Sequence, residues 1–129
     1  MKQKLLTQTE KEILSAVSHA SRFPIVRFEL RSSQEPDLRS IALNHVYITR
    51  PDDSMELVKE RSAALESLRK KGWIKISYSL PAYVQSDYKI YYQSQLYELL
   101  CHTVMDAQGK EGFLFDFPAM RFGQVFLLK

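Results

Sequence analysis

Histidine and cysteine are the residue types in this chain best suited to catalysis or metal binding, and their spacing argues against both roles. The three histidines, His19, His45 and His102, are widely separated and form no metal-ligand pattern. Cys101 and His102 are neighbours, but adjacent side chains on a helix diverge by about 100°, so a thiolate–imidazole pair is not expected. We expect an inert, buried Cys101, with a redox-sensing thiol as the alternative.

The remaining motifs do not point to an enzyme. The sequence contains neither a nucleophile elbow nor a phosphate-binding glycine loop, and it has only four glycines. A small enzyme would need titratable groups that converge on a polar pocket, and the sequence shows no such set. The prediction is therefore a protein without catalytic activity, metal or cofactor.

Basic residues offer a different chemistry, which is contact with nucleic acid. Residues 69–75 read Arg-Lys-Lys-Gly-Trp-Ile-Lys and form the densest basic cluster in the chain. Residues 52–60 have the opposite character, with four carboxylates and one lysine. The whole chain has 18 basic and 15 acidic residues, a net charge of +3, so a nucleic-acid partner is permitted but not required.

Length and composition indicate an ordinary folded protein. The 129 residues are 45% hydrophobic and 26% charged, which fits one globular domain and excludes a disordered chain. No apolar run approaches the roughly 20 residues of a membrane span, and residues 1–4 lead into no signal-like stretch. A single cysteine excludes an internal disulfide framework and favours a cytoplasmic location. We expect one domain over 1–129, with a core at 8–92 and an extension at 93–129.

The first half of the chain predicts a helix, a strand and an ambiguous segment. A Thr-x-x-Glu capping box at Thr7 starts a helix over about 8–20, which must end before Pro24. Val26, Phe28 and Leu30 alternate with charged residues and predict a strand. Residues 37–46 follow helical spacing, which we favour. A hairpin that pairs 24–31 with 41–49 is the alternative.

The second half predicts two helices and four strands. Ser54 caps a helix over about 54–71 that ends at Gly72, where a left-handed residue is needed. Alternation predicts strands at 73–78 and 88–92, joined by a polar loop. A further helix is expected at about 94–107. The tail is predicted to form a hairpin of 113–117 with 124–128, with a turn at 118–123.

The order of these elements resembles a winged helix-turn-helix domain. The residues that carry the resemblance are 64–74, Ala-Leu-Glu-Ser-Leu-Arg-Lys-Lys-Gly-Trp-Ile, which look like the join between recognition helix and wing in MarR-type and related bacterial regulators. Gly72 turns the chain, and Trp73 or Ile74 then re-enters the core. The expected fold class is α+β: a winged helix with a two-stranded wing, a C-terminal helix and a β-hairpin extension.

This resemblance implies a set of DNA contacts. Helix 54–71 would enter the major groove, with Arg61 the best candidate to pair with guanine, and the basic tip and wing would contact the backbone. The implied contact residues are Lys59, Arg61, Ser62, Arg69, Lys70, Lys71, Lys75, Gln85 and Lys89. The structural alternative is that the outer face of this helix is merely solvated and that its terminal cations oppose the helix dipole.

Aromatic and apolar residues near the wing and in the tail have two interpretations. Five tyrosines between 78 and 92 suit base stacking, but packing in strands explains them better. The tail carries more apolar surface than a small hairpin hides, which predicts a homodimer; intramolecular capping is the alternative. The predicted dimer residues are Leu96, Leu100, Phe113, Phe115, Phe117 and Phe126.

The resulting functional prediction is a small transcriptional regulator or accessory factor that binds double-stranded DNA as a homodimer. The alternative is a winged-helix module that binds another protein and not DNA. The charge around Arg61, Lys70, Lys71 and Lys89 separates the two. A contiguous positive face favours DNA, whereas neutralisation by the carboxylates at 52–56 favours the protein-binding module.

Overall fold

A four-stranded antiparallel sheet is the centre of this α+β structure. The computed structural model describes residues 5–35, 37–80, 82–108, 110 and 114–128. The helices are α1 (Gln8–His19), α2 (Met55–Lys70), α3 (Lys89–Tyr92) and α4 (Gln95–Ala107), with a 3-10 turn at Gln85–Tyr88. The strands are β1 (Pro24–Arg31), β2 (Arg39–Val46), β3 (Ile74–Ser77) and β4 (Phe117–Leu127), in the order β2-β1-β4-β3.

Helices cover both faces of the sheet. Ile25 of β1 packs with Ile13 of α1 and Leu65 of α2, and we call this side the first face. The adjacent Val26 points the other way and packs with Tyr91 of α3 and Leu96 of α4 on the second face. None of the described helices is long and apolar enough to cross a membrane.

Helix α1 begins, and helix α2 ends, where the sequence signals predict. The Thr7 hydroxyl accepts a hydrogen bond from the Glu10 amide at 3.1 Å, and the Glu10 carboxylate accepts one from the Thr7 amide at 2.7 Å. After α2, the Trp73 amide bonds the Leu68 carbonyl at 3.0 Å, and the Gly72 amide bonds the Arg69 carbonyl. Gly72 has φ +83, so the predicted left-handed stop is confirmed.

Residues 39–46 form a strand, so the favoured helix over 37–46 was wrong and the alternative hairpin is confirmed. β2 pairs with β1 in a register that matches Arg31 with Arg39 and Val26 with Val46. Two irregularities in this pairing shift the alternation of β2. Residues 38, 41, 42, 45 and 46 follow helical spacing, and residues 41, 43 and 45 alternate. The sequence therefore fits both periods, and pairing with β1 decides between them.

Residues 88–92 are helical, so the predicted second strand of the wing was wrong. Tyr88 and Tyr91 lie three positions apart, and both are buried against the second face. Their hydroxyls donate to the carbonyls of Gly123 and Pro24, at 2.9 and 2.8 Å. β3 pairs with β4 instead. A wing of 73–78 with 88–92 is not formed, and the winged-helix arrangement is not confirmed.

The predicted hairpin in the tail was also wrong. β4 runs without a break from 117 to 127, through the expected turn at 118–123. It lies between β1 and β3, and its backbone groups form hydrogen bonds with both strands. In the predicted hairpin, these groups would have bonded to each other within residues 113–128. Residues 114–116 are not a strand, and residue 113 lies outside the described residues.

Candidate functional site

Arg61, the expected base-reading residue, is held inside the protein. Its guanidinium donates to the Asp53 carboxylate at 2.7 Å and to the Tyr47 carbonyl at 3.1 Å. The side chain is only 16% exposed, and it lies over the Tyr47 ring. Hydrogen bonds from the backbone amides of Thr49 and Arg50, together with Arg61, lower the Asp53 pKa even though burial opposes this shift.

Other predicted contacts on α2 are also occupied. The Ser62 hydroxyl donates to the Asn44 carbonyl at 2.6 Å. Arg69 forms an ion pair with Glu66 at 2.6 Å, and Lys71 forms one with Glu10 at 3.0 Å. The Lys71 pair ties the end of α2 to the start of α1. These interactions neutralise most of the charge that a recognition helix would present.

The remaining predicted DNA contacts are exposed but are not brought together. Lys59 and Lys70 lie on α2, which covers the first face. Gln85 and Lys89 belong to the segment that packs on the second face, and Lys75 lies on β3 opposite Phe126. Lys59 and Lys70 therefore share one helix, whereas Lys75, Gln85 and Lys89 lie on three other elements.

The predicted dimer residues fall into two groups. Leu96 is buried in the second-face core and Leu100 packs beside it, so both have intramolecular roles. Phe115 is half-buried, Phe117 and Phe126 are exposed, and Phe113 lies outside the described residues. The homodimer stays a prediction, which sedimentation of the full chain tests: a monomer at every concentration would contradict it.

The structure brings together four arginines that sequence reasoning did not select. Arg27 and Arg31 of β1 lie on the first face together with Ile25, and both are half-buried. Arg121 of β4 is directly opposite Arg27, and Arg39 of β2 is directly opposite Arg31. Directly opposed residues share a face and have Cβ atoms about 5 Å apart. We call these four residues, Arg27, Arg31, Arg39 and Arg121, the arginine face.

Uncharged groups hold the guanidinium groups of Arg27 and Arg121 in position, whereas Arg31 is paired with a carboxylate. Arg27 Nε donates to the Asn44 side-chain oxygen at 3.0 Å, and its guanidinium lies 4.1 Å above the Tyr78 ring. Arg121 Nε donates to the Tyr78 carbonyl at 3.2 Å. Glu29 accepts two hydrogen bonds from Arg31, at 2.7 and 2.9 Å. Among the described residues, no carboxylate forms an ion pair with Arg27, Arg39 or Arg121.

A chain of hydrogen bonds fixes Tyr78, which supports two of these arginines. The Tyr78 hydroxyl accepts from the His45 amide at 3.1 Å and lies 2.8 Å from His45 Nδ1. His45 Nε2 lies 2.9 Å from Glu66. Because the hydroxyl accepts from the amide, we assign its proton to the bond with Nδ1, which leaves the Nε2–H to donate to Glu66.

The pKa shifts in this chain favour a static support over a reactive group. Burial raises the Tyr78 pKa to about 12 and lowers the His45 pKa, so both groups are neutral near pH 7. The hydrogen bond from Arg69 lowers the Glu66 pKa to about 2, in spite of partial burial. The Tyr78 hydroxyl is therefore kept protonated, and it holds the ring under Arg27.

A shallow cavity of about 300 Å³ adjoins the arginine face. Arg31, Tyr78 and Arg121 line one side of it, and the apolar side is lined by Leu80, Tyr83, Met120 and Phe122. β3 pairs only with residues 124–127 of β4. The cavity therefore lies beside the part of β4 that, in the described chain, has a partner strand only on the β1 side.

Comparisons with known proteins leave the family open. No protein-family model matches the chain, and searches of curated proteins and of solved structures return no similar protein. The resemblance to winged-helix regulators therefore stays a prediction. Among the described residues, no group of three or more histidine, cysteine or acidic side chains is placed to hold a metal ion.

Proposed function

We propose that this protein binds nucleic acid, and that it does so through the arginine face and not through α2. The observation that carries the proposal is the pairing of like charges across strands, Arg27 with Arg121 and Arg31 with Arg39. Like charges directly opposite each other destabilise a sheet. An anion bound between the paired guanidinium groups attracts both of them and offsets their mutual repulsion.

The chemistry of Arg27, Arg39 and Arg121 suits phosphate, whereas Arg31 is already paired with the buried Glu29. A guanidinium binds phosphate through two parallel hydrogen bonds and stays charged at any physiological pH. Arg27 and Arg121 each use Nε for a contact within the protein. This contact orients the rest of the fork before a ligand arrives, so less side-chain entropy is lost on binding.

The size of the arginine face favours a polyanion over a single small anion. Arg27 and Arg31 are four residues apart on one strand, which is about 13 Å. Arg39 and Arg121 lie on the two strands that flank β1 and are also four positions apart along the sheet, so they are about 16 Å apart on the diagonal. A surface of these dimensions contacts roughly two or three successive phosphates of a nucleic-acid strand.

The charge distribution on α2 argues against the predicted recognition helix. Its central and terminal cations, Arg61, Arg69 and Lys71, are each paired with a carboxylate within 3.0 Å. Breaking the half-buried Arg61–Asp53 pair to read a base would leave a buried carboxylate without its partner. Lys59 and Lys70 remain exposed on α2 and provide a control surface.

Fluorescence anisotropy with labelled oligonucleotides tests the proposal. We expect the double variant Arg39→Gln/Arg121→Gln to weaken binding about tenfold and to reduce the slope of log K against log salt by about 1 to 2, because two phosphate contacts are lost. The matched variant Lys59→Gln/Lys70→Gln removes the same charge from α2 and should leave affinity nearly unchanged. Thermal unfolding of each variant checks that the fold is intact.

Two results would contradict the proposal. If the native protein binds neither duplex nor single-stranded oligonucleotides at low salt, it is not a nucleic-acid-binding protein. If the α2 variant loses affinity and the sheet variant keeps it, the predicted recognition helix is the interface. The first result would favour the protein-binding module, which the neutralised α2 also favours.

A further inference from the structure

We propose that the ligand is single-stranded and that one unpaired base enters the cavity beside Tyr83. This inference rests on the proposed function and specifies its substrate class. It comes from the position of the cavity, which shares Arg31, Tyr78 and Arg121 with the arginine face. A phosphate held by Arg121 places the attached base at the mouth of the cavity.

The lining of the cavity suits a nucleobase. Tyr83 is 51% exposed, and its ring stands nearly perpendicular to Phe122, with centroids 5.0 Å apart. Phe122 in turn stacks on the buried Tyr88 at 4.1 Å, which makes it a rigid floor. An aromatic wall and a rigid apolar floor are the features on which bases stack in single-strand binding proteins.

Polar groups for the edge of the base come from the backbone of β4. Residues 118–122 pair with β1 on one side and, in the described chain, have no strand on the other. Every second residue of such an edge directs its N–H and C=O outward. Such groups can hydrogen-bond the edge of a base that enters the cavity.

Access to this cavity distinguishes single strands from duplexes. A base in a duplex is stacked and paired, and moving it into a protein pocket costs several kcal/mol. The cavity, at about 300 Å³, has room for one base and not for a base pair with its backbone. A single strand therefore gains both phosphate and base contacts, whereas a duplex gains only phosphate contacts.

The experiment compares a labelled single strand, its duplex, and the same single strand made abasic throughout. Native protein should bind the single strand most tightly. Tyr83→Ala should weaken single-strand binding at least about fivefold without changing the salt slope, since stacking is lost and phosphate contacts are kept. Tyr83→Phe should bind like the native protein. Phe126→Ala is the matched control, because Phe126 is 42% exposed and does not line the cavity.

The outcomes separate this inference from the proposed function. If Tyr83→Ala has no effect, or if abasic and duplex ligands bind as well as the single strand, the base-binding cavity is wrong. The arginine face still stands in that case, provided that Arg39→Gln/Arg121→Gln weakens binding. If that arginine variant binds normally as well, the proposed function fails together with the cavity.

Discussion

His45 connects two elements while it holds an uncommon backbone conformation. Its φ is +48, and its ring bridges Tyr78 and Glu66. A left-handed conformation costs most side chains about 1–2 kcal/mol, and asparagine is among the few residues that tolerate it. The hydrogen bonds of the ring and of the amide offset that cost, so the side chain and the backbone are adapted to each other.

Substitution at His45 separates these two contributions. We expect His45→Ala to lower the free energy of unfolding by about 2–3 kcal/mol, because it adds backbone strain to the loss of both ring hydrogen bonds. His45→Asn should cost about 1 kcal/mol less, because it removes the ring bonds alone. Urea denaturation measures both. Equal losses in the two variants would show that the backbone at residue 45 is not strained.

The lowered pKa values of His45 and Glu10 predict that the free energy of unfolding falls as the solution becomes acidic. Burial lowers the His45 pKa, so the unfolded chain binds a proton more readily and His45 stabilises the fold only above about pH 6.5. Burial alone would raise the Glu10 pKa, but hydrogen bonds from Ser67, the Thr7 amide and Lys71 outweigh it and lower the pKa to about 2. That carboxylate stabilises the fold above pH 4.5, and the contribution is lost towards pH 2.

Unfolding measured between pH 8 and pH 2 checks this expectation. We expect a first decrease below pH 6.5, absent in His45→Asn, and a second below pH 4.5, to which Glu10 contributes about 3 kcal/mol. Glu10→Gln should make this second decrease smaller by that amount, and the part that remains comes from Glu66 and Asp53, whose pKa values are also lowered. A profile that is flat from pH 6.5 to 3 would show that neither group is perturbed in the fold.

At the scale of elements, the pairing of β3 with β4 depends on a glycine. A Cβ at Gly123 would lie 2.6 Å from the Tyr78 ring and 2.9 Å from the Ser77 carbonyl. The ring is fixed by His45 and the carbonyl belongs to the sheet, so neither can move freely. Gly72 differs, because nothing lies within 4 Å of a Cβ there and only its φ of +83 is restrictive.

These two glycines give a matched pair of alanine variants. We expect Gly123→Ala to lower the free energy of unfolding by about 2–3 kcal/mol through overpacking, and Gly72→Ala by about 1 kcal/mol through backbone strain. Gly123→Ala should also weaken oligonucleotide binding, since it displaces the ring beneath Arg27. Chemical denaturation ranks the two, and a larger loss at Gly72 would contradict the described approach of Tyr78 to β4.

Elements with local signals were predictable from sequence, and strand partners were not. Thr7, Ser54 and Gly72 mark helix ends through contacts within a few residues, so α1 and α2 were predicted almost to the residue. Residues 88–92 alternate like a strand, but burial of Tyr88 and Tyr91 under a distant sheet makes them helical. No local pattern shows that β4 lies between β1 and β3.

The arginine face was not predictable for the same reason. In the sequence, Arg27 and Arg31 are only two of the charged residues that alternate with Val26, Phe28 and Leu30, and Arg39 lies in the segment whose spacing favours a helix. Arg121 comes close to these arginines only because β4 pairs with β1, and residues 27 and 121 are far apart along the chain. The basic cluster at 69–75 is visible in the sequence because its residues are contiguous, but two of its cations, Arg69 and Lys71, form ion pairs within the protein.

At the scale of the whole molecule, the two central strands of the sheet are the first and the last strands along the chain. β1 is formed from residues 24–31 and its neighbour β4 from residues 117–127, while β2 and β3 lie at the edges. Most contacts within the sheet therefore join residues that are distant along the chain. Folds of this kind close long loops before they gain pairing energy, and they fold more slowly than helical bundles of equal size.

The central place of β4 has a consequence for biosynthesis. While the ribosome is still translating α4, β1 is paired only with β2, and β3 has no partner strand. The core on either face of the sheet is therefore incomplete at that stage. Cooperative folding must await emergence of residue 127 from the exit tunnel. Until then Ile25 and Val26 lack the packing that β4 supplies, and incompletely packed apolar residues of this kind are where a nascent chain is prone to aggregate.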